Sequence, residues 1–395
     1  MVTIIVLLIL AGITISLVFS ENGIIAKAKE AAEKTNQATT NEQGEINKLS
    51  EYMSNMLNGI GGSETEEPEL PTIPVNWDLK KVTPVFSEDN KYVPVPKGYT
   101  ASSIATENIV EDGFVIYEGE EVVNEENKET AQTTRNQFVW VPVENPSEMY
   151  GTDSSGKKWG KLYEFSEDEI TANNWTEQDG VISITDTSGD YSYREPDVVN
   201  NDVSNGLIIS QLENEFNSMV ESVERYGGFY IGRYETGNLS QAEAAVIKNN
   251  TDIGNQTWYT IYNKSKGIAA NSNVTTTMIW GSQWDATLMW MYNSRDEEKK
   301  IYTYDSTGKG NYSGTQGSEN KIIATGSNES YAVNNIYDMA GNVYDKTIEV
   351  LSTGVRVIRG GSGSSDASVN PASSRSNNYP TTSYSLGGSR AALYM

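Results

Sequence analysis

The rhythm of apolar and polar positions changes as the chain proceeds. Residues 1–19, MVTIIVLLILAGITISLVF, form one stretch without a charge. That length reaches the roughly 18 apolar residues that predict a transmembrane helix, and at about 1.5 Å rise per residue it spans a hydrocarbon layer. A cleavable signal peptide would need a basic stretch before it and a small-x-small site after it. Here Met1 leads straight into apolar residues, and the exit reads Ser20-Glu21-Asn22-Gly23. Residues 24–34 then continue in strong helix formers, with Glu30 and Lys34 paired at i,i+4. After a polar patch over 35–44, Ile46, Leu49, Met53 and Met56 return at helical spacing, which calls for a partner surface: the chain's own head or a neighbouring copy. Residues 58–63 end the helix, and 64–74, with three prolines and four glutamates, read as an extended linker.

From Trp77 onward, short apolar or aromatic bursts alternate with Gly, Asn, Asp and Ser, the pattern of strands and loops. Early strands are predicted over 92–99, 113–117 and 137–143, with an acidic solvated loop over 118–129. Residues 150–203 offer no clean period and read as long loops with short hairpins. A helix is predicted over 211–226: Ser210 and Glu213 have capping-box spacing, Leu212, Phe216, Met219, Val220 and Val223 form one stripe, and Gly227-Gly228 stops it. A strand over 229–235 packs beside that stripe, and a second helix opens at Ser282 with Trp284, Leu288 and Met291 on one face. Both stripes read as core. The expected architecture is α+β: a hydrophobic N-terminal helix over 1–57, a linker over 58–76 and a globular head over 77–395.

Composition narrows the function. A net charge of −25 and a pI near 4.4 exclude nucleic acid as a partner. With no Cys and no His, disulfides, thiolate zinc, Cys nucleophiles and Ser-His-Asp triads are all removed. An enzyme would have to use carboxylates, lysine, tyrosine or oxygen-ligated metal, and no paired-carboxylate motif rises above the background of 54 Asp and Glu. The 23 Tyr and 8 Trp, with abundant Ser, Thr and Asn, suit contact better than catalysis.

The N-terminal wording, VTIIVLLILAGITISLVFSENGIIAKAKEA, resembles type IV pilin-like proteins of Gram-positive bacteria. That resemblance implies a helix that sits first in the membrane and then in the core of a filament of identical subunits. Ala11 and Gly12 would permit close helix contact. In the last third, NIYDMAGNVYD over 335–345, RVIRGGS over 356–362 and GSRAALY over 388–394 resemble three consecutive motifs of the formylglycine-generating-enzyme-like domain, a variant of the C-type lectin fold. The enzymes of that family need cysteines, and their iron-dependent relatives need histidines, so the resemblance implies a catalytically inactive head. It also implies a calcium ion held by the Asp338 side chain, the carbonyls of Gly341 and Val343, and the Asp345 side chain, a hard-oxygen set that suits Ca²⁺. The other reading of this loop is a turn in which the two aspartates cap backbone N–H groups.

Between the last two motifs lies GSSDASVNPASSRSNNYPTTSYS, dominated by residues that paratopes use for adaptable hydrogen bonds and aromatic anchoring. Set between two framework motifs, it reads as a binding loop on a scaffold over 362–386, or else as an inert low-complexity loop. This arrangement is similar to the variable proteins of diversity-generating retroelements. Ser364, Ser365, Asp366, Arg375, Asn377, Asn378, Tyr379 and Tyr384 are the expected ligand contacts. The combined expectation is a bacterial cell-surface or filament subunit, membrane-anchored before assembly, that displays an adhesive head to an extracellular protein or glycan. A subunit whose head merely coats a fibre is the alternative.

Overall fold

The structure, a computed structural model, describes residues 72–395 apart from 180, 190, 197–206, 269–270, 316–320 and 352–353. The chain divides into two units, Met1–Leu70 and Pro71–Met395, of which the second is described. The apolar stretch 1–19, the rest of the helix expected over 1–57 and most of the expected linker lie outside the described residues.

The expected class, α+β organised by a long hydrophobic helix, is corrected by what these residues form. They are predominantly β-structure with short helices, and among them no helix is long and apolar enough to cross a membrane. The longest, Ile209–Tyr226, has 18 residues and is amphipathic, with its polar face in solvent. The physical cause lies in the head's texture, where apolar residues come in runs too short for a long helix and are separated by turn formers.

Two large sheets carry the head. The six-stranded sheet is antiparallel, in the order Thr275–Met278, Ala391–Tyr394, Gly228–Gly232, Gln137–Pro142, Val115–Glu118, Tyr99–Ala101. Its central strand, Gly228–Gly232, is buried along its whole length, so it reads as continuously apolar. Phe229 and Ile231 feed one core cluster, with Phe216 and Trp280, while Tyr230 feeds a second on the opposite face, with Phe114 and Phe138. Helix Ile209–Tyr226 covers the first face through Leu212, Phe216, Met219, Val220 and Val223, and Gly227 at φ 79° ends it. The expected capping box does not form. The helix begins earlier, after Ile208, and Glu213 instead pairs with Lys157 at 2.6 Å.

The seven-stranded sheet runs Asn174–Gln178, Val181–Thr185, Ser192–Arg194, Tyr344–Leu351, Arg356–Arg359, Arg375–Asn378, with Gly387–Ser389 paired parallel to Tyr344–Leu351. Much of 150–194, expected as long loops with short hairpins, is hairpin strands, and the first two strands of this sheet are among them. Helix Gly281–Tyr292 buries Trp284, Leu288 and Met291 as its stripe predicts, but Asp285 shares the buried face.

Candidate functional site

The loop expected to hold calcium folds as a tight turn, with Asp338, Gly341 and Asn342 all at positive φ (54°, 78° and 58°). Glycine is required at 341, because a Cβ there would stand 2.5 Å from the Asn311 carbonyl oxygen. Asp338 Oδ2 accepts from the Gly326 amide at 2.7 Å and the Thr325 hydroxyl at 3.1 Å. The Val343 amide and Asn342 side chain donate to Glu235, at 3.3 and 2.7 Å. The nearby cation is Arg390 of the GSRAALY motif. Its Nε lies 3.7 Å from Asp345 Oδ2, and its other nitrogens donate to the carbonyls of Gly232 and Tyr337 at 2.8 and 2.6 Å.

Burial pushes the Asp338 carboxyl up to about 6, Asp345 up to about 7, and Glu235 well above the carboxylate range. Asp338 Oδ1 and Asp345 Oδ1 are buried without a hydrogen-bond partner. Among the described residues, however, no group of three or more acidic side chains could hold a metal ion. Of the expected donor set, Asp338 gives one oxygen to the Gly326 backbone and Asp345 faces the Arg390 guanidinium, while the second oxygen of each aspartate stays without a protein partner. The turn reading of this loop describes Asp338.

A second buried polar cluster, absent from the sequence reading, underlies the display segment. Strand pairing sets Arg359 directly opposite Arg375, an arrangement that is destabilising for like charges unless counter-ions intervene. Asp285 supplies one carboxylate oxygen to each: Oδ1 lies 2.6 Å from Arg359 Nη2, and Oδ2 lies 2.7 Å from Arg375 Nη2. Glu349 Oε1 accepts from Arg375 Nε at 2.9 Å, and its Oε2 lies 3.7 Å from Arg359 Nη1. The Tyr163 amide also donates to Asp285, at 2.9 Å. Two guanidiniums and two carboxylates thus balance inside the protein, as buried charges must.

Glu195 completes the neighbourhood. Its Oε1 accepts from the Ser282 amide at 3.0 Å at the start of helix Gly281–Tyr292, and Ser282 Oγ is also its partner. Burial and the negative charge of Glu349 push its carboxyl up to about 8. A raised acid contributes stability that is fully present below about 4.5 and lost as pH rises through about 8. The melting temperature is therefore expected to be higher at pH 5 than at pH 8, and Glu195→Gln should flatten that slope. An unchanged slope in the variant would remove Glu195 as its source.

The display segment divides into anchored and outward positions. Of the expected contacts, Ser364, Asp366, Asn377 and Tyr379 are exposed, Tyr379 at 68%, while Asn378 and Tyr384 are half-buried. Two are corrected. Ser365 is buried, its hydroxyl bonded to the Tyr344 phenol at 2.7 Å and accepting from the Ser362 amide at 3.1 Å. The Arg375 side chain is 8% exposed and belongs to the internal ion network. The buried carboxylates of Asp285 and Glu349 hold Arg375 inward, whereas Asn377, two residues on, is exposed. The signal that could have found the network is a charge placed amid an apolar stripe, as Asp285 is between Trp284 and Leu288.

No family model matches this chain, and no curated protein matches it. Solved structures with weak similarity include CarF (TM-score 0.30, 14% identity, 42% of this chain and 87% of that one). PvdO from Pseudomonas aeruginosa has a TM-score of 0.30 at 15% identity, over 43% of this chain and 82% of its own. Treponema denticola variable protein 1 has a TM-score of 0.27 at 13% identity, over 62% of this chain and 98% of its own.

Proposed function

We propose that this chain is an extracellular recognition protein whose head displays the 364–385 segment to a protein or glycan ligand. One observation carries the reading: the segment is pinned at its base and open at its tips. Arg375 ties the strand Arg375–Asn378 to Asp285 and Glu349, and Ser365 ties the preceding turn to Ser362 and Tyr344. Between and beyond these anchors, Asp366, Ser368, Asn377, Tyr379 and residues 381–383 face solvent. Val369 at 73% and Tyr379 at 68% are among the most exposed large apolar side chains of the head. A large aromatic held open on a rigid base suits contact, since such side chains dominate binding hot spots.

Side chains with so little packing can change without disturbing the core. Tyr379→Ala should leave the melting temperature within about 1 °C, because surface substitutions away from structural features stay within roughly ±0.5 kcal/mol. It should also weaken the ligand recovered by screening the full chain against secreted proteins and glycans by tenfold or more, the scale of a hot-spot truncation. A ligand that binds Tyr379→Ala and Asn377→Ala as tightly as the parent would sink the reading.

A further inference from the structure

Beside the display segment lies a cleft of about 500 Å³, within the usual range of small-molecule sites. One wall is the 307–315 loop and the other is the turn 366–368. Its lining is unusual for such sites, which are mostly apolar. Thr307, Ser313, Thr315 and Ser368 bring hydroxyls, Asp366 brings the one charge among the described residues, and Tyr312 and Tyr331 bring aromatic rings. Among the described residues no Lys, Arg or branched aliphatic side chain lines it.

The cleft is pre-formed. Tyr312 is buried, and its hydroxyl donates to the carbonyls of Gly360 and Asn370 at 3.0 and 2.8 Å. Asn311, also buried, bonds the Asn342 side chain at 3.0 Å, which roots the loop in the scaffold. The two walls are bonded to each other through the Ser313 amide and the Ser365 carbonyl at 2.9 Å. At the rim, Asp366 Oδ1 accepts from the Ser368 hydroxyl at 2.7 Å and the Ser368 amide at 2.9 Å. These bonds hold its carboxyl below the usual range, so it is a charged acceptor at any physiological pH.

We infer that this cleft binds a neutral polyhydroxylated ligand, a saccharide unit whose hydroxyls donate to Asp366 and exchange hydrogen bonds with the threonine and serine rim. This rests on the recognition reading above and specifies its ligand class. Anions are disfavoured, since among the described residues the cleft's charge is the negative Asp366 and no cation lines it. Apolar ligands are disfavoured because they would strip water from hydroxyls and backbone without replacing its hydrogen bonds. A sugar offers many donors and acceptors, and bonds to a charged acceptor are about twice as strong as neutral ones.

The test uses the full chain and neutral oligosaccharides of glucose, mannose, galactose and N-acetylglucosamine, with a sialylated oligosaccharide as the anionic control, read by calorimetry. At least one neutral probe should bind and the sialylated one should bind more weakly. Ser368→Trp, which fills the cleft, and Asp366→Asn, which changes only an exposed side chain, should each weaken binding by roughly tenfold or more. Val122→Ala, an exposed change away from both the cleft and the 362–386 segment, should leave the cleft's affinity unchanged. No neutral probe bound at millimolar concentration, tighter binding of the sialylated probe, or full affinity retained in both cleft variants would each overturn the inference. A protein ligand lost in Tyr379→Ala, with no saccharide bound, would overturn the inference and leave the recognition reading standing.

Discussion

Asp285→Ala is expected to destabilise the head by roughly 3–5 kcal/mol, the cost of removing one partner from a buried ion pair. Asp285 is fully buried and holds two guanidiniums at 2.6 and 2.7 Å, while the cross-strand pairing keeps those guanidiniums opposite each other. In its absence Glu349 alone would face both Arg359 and Arg375, leaving one positive charge uncompensated in a low-dielectric interior. Arg375→Ala should cost less, because the carboxylate it strands, Glu349, whose burial already raises its carboxyl, can take up a proton, whereas a guanidinium cannot lose one. Urea unfolding of the two variants beside the parent checks both the size and the order. A loss under about 1 kcal/mol for Asp285→Ala would mean that water reaches the cluster and that the pairs count as surface pairs do.

Lys346→Met is expected to act in the opposite direction, stabilising the head by about 2–3 kcal/mol at pH 7, because an uncompensated buried ammonium gives way to an apolar side chain of similar length. Lys346 is 1% exposed, and its Nζ has no hydrogen-bond partner. The amine lies where a side chain at Gly387 would reach, since a Cβ there would stand 2.5 Å from Nζ. Burial pushes its pKa down from 10.5 to about 8, against the partial compensation of Asp345. The unfolded chain therefore binds this proton more tightly than the folded one. At pH 7 the ammonium is charged in both states and its desolvation cost is fully present, with each tenfold loss of proton affinity worth about 1.4 kcal/mol. As pH rises from about 8 toward 10.5 the cost disappears, so the advantage of methionine should shrink between neutral and strongly alkaline buffer. A variant no more stable than the parent at neutral pH would show that the amine is solvated or paired.

The periodic elements of the head were legible in the sequence. The stripe from Leu212 to Val223 and the glycine stop at 227 appear as read, and so does the buried face of Trp284, Leu288 and Met291. These signals are local, since each depends on residues three or four apart. Short hairpins were expected over 150–203, but their individual strands carry no clean period because they are short, polar and partly exposed; all five positions of Asn174–Gln178 are exposed. The ion network escapes such reading for another reason. Its members come from 195, 285, 349, 359 and 375, and no spacing rule links positions brought together only by the second sheet and the helix covering it. Arg375 is the instructive case. Composition places it among contact residues, yet its register opposite Arg359 turns it inward. Asp338 was legible as a turn residue, but Glu235 and Arg390, which surround the same turn, were not, because both lie on distant strands or at their ends.

The final strands have a consequence for how variation in the display segment can be tolerated. Gly387–Ser389 pairs with the seven-stranded sheet, and immediately afterwards Ala391–Tyr394 slots between Thr275–Met278 and Gly228–Gly232 in the other. Arg390, between them, supplies the guanidinium beside Asp345. A chain whose reading frame is broken anywhere in 362–386 would lack an interior strand of one sheet, a partner strand of the other and a core cation, all at once. Changes at the exposed positions of the segment, such as Asn377 and Tyr379, leave the anchors at Ser365 and Arg375 standing, whereas a lost frame or premature stop removes the pieces that hold both sheets. Only chains that keep this frame would carry both strands and the arginine between them.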